Sequence, residues 1–131
     1  MPVQTSNPEA LHEPTTYSHV AVGTGNRMVF VAGQVALDPR GTLVGDGDVA
    51  QQAVQAYRNV AAALASVDAP IESVAKVTTF VVGHRPELLG PIGEARRAVF
   101  GDHMPASTLV GVQALARPEF LIEVEAVAVV D

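Results

Sequence analysis

Residues 121–130 read Leu-Ile-Glu-Val-Glu-Ala-Val-Ala-Val-Val and carry the strongest structural signal in the chain. Side chains alternate between the two faces of a strand, so Glu123 and Glu125 share one face while Val124 lies on the other. An ionised carboxylate is costly to bury unless a polar cavity, an ion pair or a proton compensates it. The stretch therefore predicts a strand with one core face and one face that holds a chemical site.

The composition is that of one ordinary domain. Of the 131 residues, 48% are hydrophobic and 17% are charged, and we expect a single domain over residues 1–131 with an irregular arm at residues 1–16. The net charge of −6 leaves no basic surplus to neutralise phosphates, which argues against a nucleic-acid partner. An aromatic content of 5% without Trp also disfavours a base-stacking platform.

The chain contains no Cys, which excludes disulfides, thiol nucleophiles and Cys-ligated metals. Residues 1–16 are polar and rich in Pro, so we expect no secretory signal. No apolar run is long enough to span a membrane. These features predict a cytoplasmic protein without a membrane partner.

The order of apolar runs and turn signals predicts β-β-α-β-α-β-β, an α+β layer in which helices pack on one sheet. A turn at Gly25-Asn26 is expected to join the first two strands as a hairpin. Asp48 or Gly47 is expected to cap the first helix, and the second helix is expected to start after Pro91. The predicted strands span residues 17–23, 28–34, 73–82, 106–112 and 121–130, and the helices lie within residues 48–67 and 87–100.

Two helices can cover only one face of the predicted sheet, yet its strands are apolar on both faces. Self-association is the simplest way to cover the second face. We therefore expect a homo-oligomer in which Glu123 and Glu125 approach a subunit interface, a common place for a small-ligand site.

Other motifs favour structural interpretations. Gly23-Thr24-Gly25 begins like a dinucleotide fingerprint but runs into a strand, which predicts a hairpin turn. Arg96 and Arg97 are expected on a solvated helix face or as a complement to the helix C-terminus. The histidines lack metalloprotease spacing and predict surface or loop positions without a metal site; they are His12, His19, His84 and His103.

Glu123 and Glu125 allow two interpretations. They could form ion pairs with a partner subunit or a solvated patch on the sheet, because structural pairs also place carboxylates in sheets. Alternatively, one of them could act as a general acid or base that handles a water molecule. The residue types alone leave both open.

Several ordered motifs together resemble the RidA/YjgF family of reactive-imine deaminases over about residues 15–130. The matching motifs are Tyr17-Ser18 before a strand, Val-Ala-Gly-Gln-Val-Ala-Leu-Asp-Pro at residues 31–39, Val-Ala-Lys-Val-Thr-Thr-Phe-Val at residues 74–81, Pro-Ala-Ser-Thr at residues 105–108 and Ile-Glu-Val-Glu-Ala-Val-Ala at residues 122–128. The resemblance implies a chorismate-mutase-like α+β fold, with a mixed sheet and two helices on one face. It also implies a homotrimer with small-molecule ligands in three inter-subunit clefts.

The activity implied by the resemblance is hydrolysis of enamines and imines, such as 2-iminobutanoate and 2-iminopropanoate, to 2-keto acids and ammonia without a cofactor or metal. Tyr17 resembles the family's cleft tyrosine, and Gly33 resembles the backbone position that touches the ligand. Glu123 resembles the carboxylate that positions or activates water. Two positions depart from the family pattern: Ser107 replaces an arginine that binds the substrate carboxylate, and Gly93 replaces a cleft asparagine.

Three hypotheses follow. The first is a hydrolase of imines or related C=N or amide compounds, with Glu123 as base and with Ser107, Thr108 and the Gly33 backbone orienting substrate. The second is a trimeric small-ligand-binding protein without iminoacid turnover, because a hydroxyl cannot replace a bidentate guanidinium. Another arginine, such as Arg117 or one from a neighbouring subunit, could restore the charge. The third is a purely structural interaction module.

Overall fold

The computed structural model describes residues 2–131, which contain six strands and two helices. Two short 3-10 turns, Ile71–Ser73 and Pro86–Leu88, precede a strand and a helix respectively. In chain order, the elements are β1 (Val3–Ser6), β2 (Val20–Gly23), β3 (Arg27–Gln34), α1 (Val49–Ala65), β4 (Val74–Val82), α2 (Leu89–Phe100), β5 (Ala106–Val112) and β6 (Ile122–Val130). None of the helices in the described part is long and apolar enough to cross a membrane.

Four strands form a mixed sheet in the order β3-β6-β4-β5. The strand β6 is central and runs antiparallel to both β3 and β4, whereas β4 and β5 are parallel and are connected through α2. A parallel pair needs such a crossover, because a tight turn can only join antiparallel strands. The predicted α+β layer with a mixed sheet and two helices is confirmed.

The core lies between one face of this sheet and the two helices. Ile122 and Val124 of β6 are fully buried there, as the alternation of the strand predicts. Val77 and Val81 of β4 meet them in the same cluster, and Tyr57 of α1 packs into it. Removal of this apolar surface from water is the main force that holds the helices on the sheet.

The second face of the sheet carries no helix. Phe30 and Met28 on β3 are 71% and 61% exposed there. Glu123 and Glu125 lie on this face too, opposite Phe80 and Thr78 of β4. We call this the open face. Exposed apolar side chains and carboxylates therefore share this face of the sheet.

The N-terminal region differs from its prediction in two ways. Of the predicted irregular arm, Met1 lies outside the described residues. Residues 2–16 are not wholly irregular, because β1 pairs with β2 in an antiparallel two-stranded ribbon. The predicted hairpin between the first two predicted strands is wrong, since β2 pairs with β1 and not with β3. Between β2 and β3 the chain turns tightly against the end of β6. There the N–H of Asn26 donates to the carbonyl of Val130, and a Cβ on Gly25 would lie 2.5 Å from that oxygen.

As a result, β2 crosses one end of the four-stranded sheet. Ser18, just before β2, forms a parallel bridge with Ala106 at the start of β5. At its other end, Gly23 packs on Val129 near the end of β6, and a Cβ there would approach the Val129 side chain to 2.6 Å. The segment before Ser18 is thereby held beside β5.

The helix limits follow local chemistry. Asp48 caps α1 by accepting a hydrogen bond from the N–H of Gln51 at 3.1 Å, which confirms the predicted cap. The helix ends at Ala65, before the predicted limit, and the following Asp68 adopts a positive φ of 55° that no helix can continue through. The predicted start of α2 after Pro91 is wrong, since the helix begins at Leu89. Pro91 lies within its first turn, where the missing N–H would have no helical partner.

Gln52 of α1 ties two loops to the helix. Its side chain is fully buried, and its amide donates to the carbonyls of Gly45 and Glu119 at 3.0 Å each. Its amide oxygen accepts from the N–H of Leu121 at 2.9 Å, directly before β6. The start of the central strand therefore depends on one buried amide.

Replacement of Gln52 by Leu should destabilise the protein by about 3 kcal/mol, because it leaves buried backbone groups without partners. Chemical denaturation followed by circular dichroism measures this loss. The exposed neighbour Gln51 provides the control, since Gln51→Leu should change the free energy of unfolding by less than about 0.5 kcal/mol. Equal effects of the two variants would contradict the role of Gln52.

Candidate functional site

A cavity of about 550 Å³ lies between α2, the β5 edge of the sheet and residues 15–17. Three of the site residues expected from the sequence line it: Tyr17, Gly93 and Ser107. They come from the segment before β2, from α2 and from β5. The fold thus brings together positions that are up to 90 residues apart in the sequence.

The register of β5 decides which of its side chains face this cavity. Ser107 lies opposite Val77 of β4, a core residue on the helix side of the sheet. Thr108 follows it and therefore faces the open side, where the Lys76 ammonium donates to its hydroxyl at 2.6 Å. Within one chain, Ser107 lines the cavity and Thr108 does not.

Gly33 and Glu123 contact each other away from the cavity, on the open face. The pairing of β3 with β6 is irregular between Val31 and Gln34, where Gly33 lies. A Cβ on Gly33 would lie 2.3 Å from the carboxylate oxygen Oε2 of Glu123. Only glycine leaves the carboxylate its present position, so the Gly33 backbone shapes the surroundings of Glu123.

The neighbouring Glu125 is more exposed than the half-buried Glu123. Among residues 2–131 neither carboxylate forms an ion pair, and the single pair within this range joins Arg85 and Glu87 at 3.4 Å. The ion-pair interpretation of these glutamates therefore finds no partner within one described chain. A subunit partner or a chemical role remains for Glu123.

Arg96 differs most from its expectation. Its adjacent position to Arg97 predicts a solvated face or a complement to the helix C-terminus, but Arg96 is only 9% exposed and lines the cavity. Its guanidinium donates from Nη1 to the carbonyl of Thr16, which fixes the segment before Tyr17 to α2. The spacing of Ile92, Arg96 and Phe100 at i, i+4 and i+8 is the signal that was missed, because it places all three on the core side of α2.

The electrostatics of Arg96 are unusual for a buried cation. Burial lowers the pKa of its guanidinium from the ordinary value; the interaction with Tyr57 opposes this change, and the charge of Arg97 adds to it. An arginine nevertheless stays protonated in proteins. Throughout the described residues, no carboxylate lies within 4.0 Å of it. Arg117, the alternative source of charge that the sequence suggested, lies over the Phe120 ring at 5.2 Å and does not line the cavity.

Tyr57 and Thr79 form a second group that the sequence did not indicate. Both are buried and line the cavity, and their hydroxyls share a hydrogen bond of 2.9 Å. Burial raises the pKa of Tyr57, while the bond to Thr79 and the charge of Arg96 lower it. The ring of Phe100 packs edge-on against Tyr57 at 6.1 Å and supports it from the core.

Tyr17 is held from the solvent side by two histidines. Its hydroxyl lies 3.0 Å from Nε2 of His12, and Nε2 of His19 lies 2.8 Å from the carbonyl oxygen of His12. The three rings pack edge-to-face, with the His12 and His19 centroids 4.7 Å apart. Across residues 2–131, no group of three possible ligand side chains could hold a metal ion.

The chemistry of the cavity is therefore cationic and hydroxylic. Arg96 offers a charged donor, while Tyr57, Thr79, Ser107 and Tyr17 offer hydroxyl groups. Of the described residues, no Asp or Glu lines it. The cavity can bind and orient a small polar or anionic molecule, and the carboxylate of Glu123 lies outside it, on the open face.

The sequence of this chain is similar to those of a known protein family. A family model described as "Endoribonuclease L-PSP" matches residues 7–130. A RutC family protein from Pyrococcus abyssi is 32% identical over 108 residues, which cover 82% of each chain. The mouse 2-iminobutanoate/2-iminopropanoate deaminase is 30% identical over 104 residues, which cover 79% of this chain and 75% of that protein.

Solved structures show the same fold. The Rid family protein YyfB from Yersinia pestis superimposes with a TM-score of 0.92 and 36% identity, covering 98% of this chain and 99% of that one. The Escherichia coli YjgF protein gives a TM-score of 0.68 and 31% identity, covering 86% and 87%. With a family model that spans nearly its whole length and relatives of this similarity, the chain belongs to the RidA/YjgF family.

Proposed function

We propose that this protein forms a homotrimer whose inter-subunit clefts hydrolyse a small imine or enamine to a keto compound and ammonia. The observation that carries the proposal is the division of the site within one chain. Tyr17, Gly93 and Ser107 line a cavity that has no carboxylate, whereas Glu123 and Gly33 lie on the open face. Within the described part of the chain, the cavity lacks a carboxylate, which the open face has, and the open face lacks a cavity lined by hydroxyl groups and a cation.

The open face supports the assembly part of the proposal. Its exposed Phe30 and Met28 would lose contact with water when another copy covers them, which gives a hydrophobic driving force for association. A closed ring of copies would set the open face of one subunit beside the cavity edge of the next. Glu123 would then reach a substrate held in the neighbour's cavity.

The chemistry needs one base and one set of orienting groups. Glu123 would take a proton from water as the water oxygen attacks the C=N carbon, and it would return this proton to the nitrogen, which gives a carbinolamine. Glu123 would then carry the hydroxyl proton of the carbinolamine to the amino group, so that the C–N bond breaks, ammonia leaves and the C=O group forms. The hydroxyl groups of Tyr17 and Ser107 would orient the substrate. The mouse relative is named as a deaminase of this class of compound.

The family model that matches this chain is named after an endoribonuclease, but this chain has few groups that could bind RNA. Its net charge is −6, and only 8 of its 131 residues are Lys or Arg. A strand of RNA needs phosphate neutralisation along its length. A cavity of about 550 Å³ suits a small metabolite instead.

A second candidate is a trimeric protein that binds a small ligand, or hydrolyses a different C=N or amide compound, without iminoacid deamination. Ser107 favours this candidate, since it occupies the position at which the family pattern has an arginine. A hydroxyl provides neither the charge nor the planar fork of a guanidinium. Ligand binding without ammonia release from any iminoacid would select this candidate.

Replacement of Glu123 by Gln should reduce turnover about 100- to 10,000-fold, because the amide cannot accept the proton from water. The assay is release of ammonia and keto acid from iminoacids that an amino-acid oxidase generates in situ. Glu125→Gln on the same face is the matched control and should keep most of the activity. Unchanged turnover in Glu123→Gln would remove this residue from the mechanism.

Gly33→Ala should lower turnover with little loss of stability. The new Cβ would lie 2.3 Å from Oε2 of Glu123, and the flexible carboxylate can move away more easily than the backbone. The same assay, together with thermal unfolding, separates the two effects. Gly90→Ala is the control, because its Cβ would meet nothing within 4 Å. It should leave the turnover and the temperature of unfolding near those of the wild type.

Light scattering after size exclusion should give a mass three times the 13.6 kDa of one chain. Phe30→Glu should shift this mass towards that of the monomer, because it places a charge in the contact that we propose. Leu11→Glu, at another exposed apolar position, should keep the trimer. A monomeric wild-type protein would reject the assembly.

A further inference from the structure

Arg96 is a buried cation that has no anionic partner in the described chain. Its side chain is 9% exposed, and its only hydrogen bond to residues 2–131 uses Nη1 and the carbonyl of Thr16. A guanidinium has five N–H donors. Apart from the bond to Thr16, the donors of Arg96 have no protein partner and stay accessible, because Nδ1 of His84 is the only fully buried side-chain nitrogen or oxygen without a partner among residues 2–131. Arginine is rarely buried unless it is paired.

We propose that Arg96 binds the carboxylate of the substrate, and that α2 thereby supplies the charge that Ser107 of β5 does not. This inference rests on the proposed function for the identity of the substrate as an iminoacid. It does not depend on turnover, since binding of a small carboxylate to the cavity can be measured by itself. The ligand class is a short 2-keto or 2-imino carboxylate.

The position of Arg96 fits this role. Arg96 and Ser107 line the same cavity, so a carboxylate that Arg96 binds would also be within reach of the Ser107 hydroxyl. The remaining N–H groups of Arg96 can bind a carboxylate in the bidentate manner, which gives both charge and direction. Tyr57, Thr79 and Ser107 would add hydroxyl groups around the anion.

The charges around Arg96 also favour an anion. Tyr57 and Arg97 are the titratable groups whose interactions change the pKa of Arg96. The Tyr57 hydroxyl is neutral below its raised pKa, and Arg97 is cationic. No acidic side chain of the described residues lines the cavity to repel an incoming carboxylate. A bound anion would therefore offset the cost of holding a guanidinium away from water.

A structural role is the competing explanation. The hydrogen bond to Thr16 could exist only to fasten the segment before Tyr17 to α2. A neutral carbonyl is a weak reason to bury a full charge, because a neutral donor would serve the same bond at a lower desolvation cost. The two explanations differ in what they predict for ligand binding.

The test is titration of the intact protein with 2-oxobutanoate, followed by calorimetry and by NMR of the arginine Nε–H groups. The wild type should bind 2-oxobutanoate and should not bind its uncharged methyl ester comparably. Arg96→Met should weaken binding about 10- to 100-fold, as expected for loss of a charged hydrogen bond. The neighbouring Arg97→Met is the control and should stay within about twofold of the wild type.

One further measurement keeps the proposal testable if Arg96→Met does not fold. In the wild type, 2-oxobutanoate should shift the Nε–H resonance of Arg96 and leave that of Arg97 in place. Where Arg96→Met does fold, the double variant Arg96→Met/Ser107→Arg should regain binding, because both positions line one cavity. Binding that leaves the Arg96 resonance unmoved would overturn the proposal, as would a wild type that does not bind the carboxylate.

Failure of this inference and failure of the proposed function give different results. Ammonia release with an unchanged KM in Arg96→Met would reject the role of Arg96 and keep the deaminase. Carboxylate binding that depends on Arg96 without ammonia release from any iminoacid would reject the deaminase and keep the anion site.

Discussion

The two-faced central strand β6 is the constraint on which the rest of the structure depends. Ile122 and Val124 hold the helices on one face, and the intervening Glu123 is thereby fixed on the other. The strand cannot shift by one residue without moving carboxylates into the core. The buried amide of Gln52 secures the start of this strand, so the position of Glu123 is set by packing and by hydrogen bonds at once.

This arrangement explains why the site is divided. The helix side of the sheet provides a cavity with one cation and several hydroxyl groups, and the open side provides a carboxylate shaped by Gly33. A cation and a carboxylate on opposite faces cannot neutralise each other inside one chain. In the trimer that we propose, association of identical chains would bring both groups to one substrate.

The sequence predicted the parts of the fold that depend on local pattern. Alternation identified the core face of β6, and Asp48 identified the start of α1. The ribbon of β1 and β2 was missed because Val3–Ser6 is short and its pairing depends on a distant turn against Val130. The strand propensity of a short segment carries no information about a contact with a distant part of the chain.

The site was predicted unevenly for similar reasons. Tyr17 and Ser107 were found through motifs, but only the register of β5 separates Ser107 from Thr108. Arg96 was missed because two adjacent arginines near a helix end were interpreted together, although one step along a helix turns a side chain by about 100°. Its position between Ile92 and Phe100 was the available signal.

Subunit complementation tests the central claim, a site shared between chains, most directly. Gly93→Phe should fill the cavity without a backbone clash, since a Cβ at Gly93 meets nothing within 4 Å, and Glu123→Gln removes the base. Each variant alone should be inactive. Co-assembly of the two in equal amounts should restore ammonia release to about a quarter of the wild-type rate, because about a quarter of the clefts then combine an open cavity with an intact Glu123. Inactive mixed trimers would contradict a shared site.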